Sequence, residues 1–322
     1  MGRRLRIQEE KTIYFVTNRC LQQRMFLVPT DEVNRIVLAW LGRAVAVHGV
    51  KLLFFVFMSN HFHLGVLAPK ENLERFMAYF QGNLAKSLNR LHGRSGPIFG
   101  RRYSAEPILD DASLLDKMLY TLQNPVKADL VEHPAQWPGV SSWSSHMSGA
   151  PLDAVWTDGA QLRRLRRRND HRVADEMLAT VHYPIEVERL PEFGEYTQAQ
   201  FAAKLNELVA DRCEVLKARR KKERKKVLGP GKVRSQKYFS QPRKPSAASP
   251  QPLCHTINPV TRAAYRQMVK GVTTAYRRAM RHWRQGQLEV RFPRGTIPPG
   301  WIRCVGDGDL VKVIRDTCDD FG

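Results

Sequence analysis

Four side chains, in two short stretches, have types and spacings that could do chemistry. His61 and His63 sit at i and i+2 in the stretch Ser59 to Leu64, directly after the apolar run Leu52 to Met58. Side chains alternate faces on a β-strand, so His61, His63 and Gly65 share one face, and Phe62, Leu64 and Val66 share the other. Two imidazoles on one face are part of a small metal site. Gly65 is expected to leave that face uncrowded, where a ligand or another backbone could approach. Some sixty residues on, Tyr120 and Asn124 lie one helical turn apart and project together. They fall nearly opposite the apolar stripe of Leu115, Met118, Leu119 and Leu122, where a merely structural tyrosine would belong. Tyr120 is thus a candidate nucleophile and Asn124 a candidate third ligand. Gln123 is the rival amide, on the far side of Tyr120 from Asn124.

The elements that must position these residues are legible in outline. Thr12 to Asn18 is rich in β-branched and aromatic residues and predicts a first strand. Thr30 caps a helix to about His48, with Asp31 and Glu32 in its first turn and Gly49 at its end. Leu52 to Met58 and the histidine strand form a hairpin through Ser59 and Asn60. Asn72 caps a helix reaching about His92, with Phe76, Phe80, Leu84, Leu88 and Leu91 as its buried stripe. Tyr103 to Leu109 is a fourth strand. The tyrosine helix is then capped by Asp111 or Ser113 and stops at Asn124, before Pro125. This order predicts an α+β class, a ferredoxin-like split βαβ antiparallel sheet with two helices on one face and an additional tyrosine helix on the other. Trp137 and Trp143 pack the following tail against this domain, and a break falls at Ser144 to Leu152.

A mostly helical, basic C-terminal region follows. The expected division is a first domain over 1–150, a helical region over 151–226, a flexible basic linker over 227–255 and a small basic region over 256–322. Its helices are predicted from Leu162 to about His182, Gln198 to about Lys226 and Asn258 to Gln285, with a short strand from Leu288 to Phe292. The formal charge is +21, of which +6 falls in residues 1–150 and +15 in the remainder. Eight of the ten positions 217–226 are basic. Such an excess points to a polyanionic partner, nucleic acid first, with the C-terminal region in contact with it. No apolar run approaches the roughly 18 residues of a spanning helix. Met1 to Arg6 lacks the apolar segment of a signal peptide, so a cytoplasmic, nucleoid-associated protein without a membrane partner is expected. Cys20, Cys213, Cys254, Cys304 and Cys318 are scattered, which suits reduced thiols and argues against a zinc ribbon or disulfide scaffold. There is no Walker A loop, no Gly-x-Ser-x-Gly elbow and no carboxylate triad. Glu106, Asp110 and Asp111 cluster too locally for a two-metal nuclease.

His61, Phe62 and His63 resemble the His-hydrophobic-His motif of the HUH single-strand endonucleases. Tyr120 and Asn124 resemble the tyrosine-helix motif of their single-tyrosine branch. The fuller pattern, Met58 to Leu64 followed by Tyr120 to Val131, is similar to the REP-associated tyrosine transposases, over about residues 10 to 145. Insertion-sequence relatives usually carry Gln where Asn124 stands, and Asn offers the same amide oxygen on a shorter arm. The resemblance implies the same ferredoxin-like fold, Tyr120 as nucleophile, a 5′-phosphotyrosine with a free 3′-hydroxyl, and one divalent cation, Mg²⁺ or Mn²⁺, held by His61, His63 and Asn124. It implies single-stranded and hairpin DNA as partner, and a monomer or homodimer. Arg19, Arg101, Arg102 and Lys127 lie in loops near these elements and are candidate DNA-backbone contacts. Two further readings are a domesticated binder of structured DNA or RNA that does not cut, and a replication initiator of the same chemistry.

Overall fold

The run from Leu52 to Met58 is apolar throughout because the strand it forms is covered on both faces. A computed structural model describes residues 4–168, 172–242 and 251–299. Its main sheet holds β1 (Ile13–Arg19), β2 (Lys51–Met58), β3 (His61–Leu67) and β4 (Ser104–Ile108), in the order β2-β3-β1-β4. All pairings are antiparallel, with Thr17 opposite His63 and Arg19 opposite His61. With α1 (Asp31–His48) and α2 (Leu73–Leu91) on one face, this is the α+β split βαβ arrangement the sequence predicts. Val16, Phe57, Phe62, Leu64 and Val66 meet Val37, Leu41, Phe76 and Phe80 there in a continuous core.

The other face carries α3 (Asp111–Leu122), with the short α4 (Asn124–Lys127) after it. It is more crowded than expected. Phe54, Val56 and Met58 pack with Met118, Leu119 and Leu122 of α3 and with Phe201, Leu205 and Val209 further along the chain, forming a second core. Gly65 is no open point: a Cβ there would lie 2.5 Å from the Phe54 ring. The glycine makes room for a packed aromatic, not for a ligand. Gly65→Ala is therefore expected to destabilise the fold by about 1–3 kcal/mol through overpacking. A thermal melt reads this directly, and an unchanged midpoint would show that Phe54 yields freely.

Local signals explain most helix ends and correct three. Thr30 Oγ1 accepts from Val33 N at 3.2 Å, and Gly49 takes the left-handed C-cap at φ 63°. Asn72 does not cap α2 with its side chain; it donates to His48 O, and Gln8 Oε1 accepts from Leu73 N instead. Leu91 is exposed, outside the buried stripe. The cap of α3 is Asp110, whose Oδ1 accepts from Ser113 N at 2.7 Å, one residue before the expected start. Pro125 does not stop the chain's helical course at Asn124. The helix breaks at Gln123, and Pro125 sits in the first turn of α4, where its missing N–H costs nothing.

Trp137 and Trp143 are buried as expected, Trp137 Nε1 donating to Phe57 O. Beyond them come α5 (Trp143–Ser148), β5 (Leu152–Thr157), α6 (Gly159–Arg168), α7 (Arg172–Leu178) and β6 (Thr180–Ile185). The single helix expected from Leu162 to His182 is thus two helices and a strand. β5 and β6 pair as an antiparallel hairpin laid on α1, with Ala154 beside Gly42 and Arg43 stacked on Trp156. Thr197 and Gln200 form a capping box that opens α8 (Gln198–Lys222). Two of the basic residues at its end turn inward. Arg219 pairs with Asp129 at 2.6 Å, and Arg220 is buried against it.

The stretch expected as a mobile linker is seated on the first domain where it is described. α9 (Pro230–Arg234) buries Val233 in the second core, Tyr238 stacks on His92 at 4.2 Å, and Ser240 O accepts from Met25 N. Residues 243–250 lie outside the described residues. α10 (Pro259–Arg284), capped by Asn258, has no acidic residue and exposes Lys270, Arg277, Arg278, Arg281 and Arg284. Leu288 to Phe292 is not a strand; Phe292 tucks its ring against Tyr276 at 5.2 Å. Cys304 and Cys318 lie outside the described residues. No helix among those described is long and apolar enough to cross a membrane.

Candidate active site

The register of β3 between β1 and β2 puts His61 and His63 side by side, ring centroids 5.0 Å apart, on the face that α3 crosses. Asn60 Oδ1 meets His61 Nδ1 at 2.7 Å, a bond that places the proton on Nδ1 and the lone pair on Nε2. His63 is buried, stacked flat on Phe15 at 5.3 Å, with Nε2 3.2 Å from Asn124 Nδ2. Its Nδ1 is buried without a hydrogen-bond partner.

Both imidazoles are held neutral. Burial, and then Arg19, lowers His61 to about 4. His63 is pushed well below the usual histidine range by burial, followed by His61, Arg19, Lys117 and Lys127. Desolvation and cationic neighbours both disfavour imidazolium, so near neutral pH both rings offer lone pairs.

The break at Gln123 sets the tyrosine and the amide in place. α3 carries Tyr120 edge-on to His63 at 5.5 Å and to Phe15 at 6.1 Å. α4 begins with Asn124, which reaches His63. Gln123 points the other way, donating to Val209 O of α8 at 2.9 Å. Of the two rival amides, Asn124 is the one beside the histidines. Lys127 Nζ lies 4.8 Å and Lys117 Nζ 5.5 Å from the centre of the Tyr120 ring.

These groups open on a cleft of about 1590 Å³ lined by His61, His63 and Tyr120. Arg19, Arg101 and Arg102 are on its wall, as expected, joined by Arg4, Arg6 and Lys117. Lys127 is not on that wall; it reaches Tyr120 from α4. Sequence reasoning passes over Phe15, Lys117 and His255, and weighs Glu106 only as part of a two-metal cluster. Lys117 was within reach, one turn before Tyr120 on the same helix. Phe15 alternates with core residues on β1 and carries no chemical mark.

A divalent cation fits this donor set. Two neutral imidazoles and one amide converge, and a half-turn of the Asn124 amide would offer Oδ1 where Nδ2 now meets His63. No cluster of three or more His, Cys, Asp or Glu side chains suited to a metal occurs among the described residues.

No protein-family model and no curated protein matches the chain. Among solved structures it is similar to a REP-associated tyrosine transposase bound to a REP hairpin, at 17% identity and a TM-score of 0.37, over 45% of this chain and 84% of that one. It is also similar to a Deinococcus radiodurans R1 protein described as a transposase, at 15% identity and a TM-score of 0.27, over 36% of this chain and 92% of that one.

Proposed function

We propose that this protein is a metal-dependent transposase or endonuclease of the single-tyrosine HUH type, cutting one DNA strand near a hairpin through a covalent bond to Tyr120. The observation that carries the reading is the convergence of Tyr120, His61 and His63 in one cleft whose wall holds six basic side chains, with Asn124 buried against His63. An arrangement of this kind has little structural use, whereas phosphodiester cleavage needs each part. Arg19, Arg101 and Arg102 hold the strand by its phosphates. Phe15 and the two lysines fix the Tyr120 ring, so that its oxygen reaches phosphorus without first ordering the side chain. His61, His63 and Asn124 would hold Mg²⁺ or Mn²⁺, which when bound supplies a Lewis acid for the phosphate oxygen. The tyrosine–phosphate ester conserves the energy of the broken bond for a later strand transfer. By the family pattern this is a 5′-phosphotyrosine that leaves a free 3′-hydroxyl. A labelled hairpin with a single-stranded flank tests the proposal. Incubation with Mn²⁺ should give a cut product and a denaturation-resistant protein–DNA adduct, and EDTA should remove both. A protein that binds this DNA and never cuts it would stand as a binding module instead.

The exposed cations of α10 are the part of the C-terminal region best placed to hold the duplex stem. Replacing Lys270, Arg277 and Arg281 by Ala is expected to weaken hairpin binding while sparing cleavage of a short single strand. Removing a single cation–phosphate pairing should flatten the slope of log affinity against log salt by roughly 0.7–0.9. An unchanged slope in the triple variant would remove α10 from the interface.

A further inference from the structure

Past residue 250 the chain returns to the edge of the sheet. Arg4 Nη1 donates to Gln251 O and Pro252 O, His255 N donates to Pro107 O at 2.8 Å, and His255 O accepts from Leu109 N at 2.9 Å. Asp110, the residue that caps α3, accepts from Ile257 N through its second oxygen at 2.9 Å. These bonds fix a histidine from the C-terminal half in the cleft that holds Tyr120.

The His255 imidazole packs edge-on to Phe15 at 5.5 Å. The same Phe15 ring carries Tyr120 and His63, so one aromatic positions all three. The His255 side chain is 13% exposed, and its Nε2 is buried without a hydrogen-bond partner, 3.9 Å from Oε2 of Glu106. Glu106 is itself buried, at 7% exposure, on β4. Lys117 and Asp116 face the imidazole from α3, and Arg262 and Arg266 of α10 line a smaller cavity with it. A buried carboxylate is costly, and in a cleft walled by arginines it also opposes a phosphate chain. Beside an imidazole it has a use, since it can orient the ring and stabilise the imidazolium, the part a carboxylate plays in acid–base pairs. Burial, and then Lys117, lowers His255 to about 4, so at neutral pH the ring is in the form that accepts a proton.

We propose that His255, oriented by Glu106, carries the proton between nucleophile and leaving group in the cleavage assigned above to Tyr120, on which this inference rests. The imidazole takes the phenol proton as the tyrosine oxygen bonds to phosphorus, and gives it to the 3′-oxygen as the P–O3′ bond breaks. One bond forms, one breaks, and no net proton or electron is exchanged. Strand transfer runs the same relay backwards. The relay joins the C-terminal half to the chemistry of the first 150 residues, which the +15 charge of that half alone does not.

The test uses the full-length chain in single-turnover reactions with a labelled hairpin substrate and Mn²⁺. His255→Ala is expected to slow adduct formation by about 10²–10³-fold, with substrate affinity held within about twofold and part of the rate restored by added imidazole. His255→Gln keeps the volume and a hydrogen bond but cannot relay a proton, so it should be as slow and keep the wild-type melting temperature. Glu106→Gln should slow the reaction less than either. A wild-type rate in His255→Ala, or full recovery in His255→Gln, would overturn the relay while leaving Tyr120 in place. A wild type that forms no adduct under any condition overturns the Tyr120 reading, and the relay with it.

Discussion

Tyr120→Phe is expected to abolish the covalent protein–DNA adduct and single-strand cleavage while leaving hairpin affinity and thermal stability near wild type. The substitution removes one oxygen. The ring keeps its edge contacts with His63 and Phe15 and its two lysine neighbours, so the fold has no reason to respond. Removing a nucleophile costs orders of magnitude in rate, at least about 10³-fold here, which puts the adduct below detection on a denaturing gel. Tyr14 and Tyr103 are buried, with burial the first cause of their raised phenol pKa, and Tyr79 bonds Arg43 Nε from α2 on the far face. A slow-migrating adduct in Tyr120→Phe, or a wild-type adduct mapped to one of these, would overturn the assignment.

His61→Ala and His63→Ala should each remove metal-dependent cleavage and leave DNA binding largely intact, but they should differ in stability. His61 is half-buried and bonded to its neighbour Asn60. His63 is stacked on Phe15 and touches Asn124, so its loss opens a cavity and should cost about 1–3 kcal/mol more. Melts with and without Mn²⁺ separate the two effects. Wild type should gain stability from the ion, by an amount that grows with its concentration over the dissociation constant, and neither variant should. If both variants melt far below wild type and neither binds DNA, the histidines are core residues and the metal proposal falls. Asn124→Ala should be milder than either. Gln123→Ala should lower stability by removing the bond to Val209 O, yet keep Mn²⁺ dependence. A Gln123→Ala variant that needs more Mn²⁺ than Asn124→Ala would exchange the two roles.

The sheet and the placement of Tyr120 and Asn124 were readable because period and punctuation agree there. The alternation of His61 to Val66 and the leucine spacing of α3 are set by the pleat and the helical turn, whatever packs on them. Gly65 misled because a missing side chain reads the same whether a ligand or a neighbouring ring takes the space, and here Phe54 takes it. The β5–β6 hairpin was hidden behind arginine-rich flanks whose charge resembles a solvated helix. His255 could not have been found from spacing. It joins the site through a one-residue bridge to Ile108, 147 residues away, and its neighbours in sequence carry no periodic pattern. A long-range backbone pairing of this kind leaves no local trace.

The helix break at Gln123 also bears on stoichiometry. Tyr120 stands before the break and Asn124 after it, and both reach His63 of the same chain. A reaction run within one molecule predicts that the rate constant for cutting one end does not change on dilution, and a rate that falls on dilution would bring Tyr120 to a partner's histidines. One tyrosine can hold only one severed end. That end is joined by attack of a free 3′-hydroxyl, which needs no tyrosine of its own, so the same molecule completes the transfer and this step too should be unaffected by dilution.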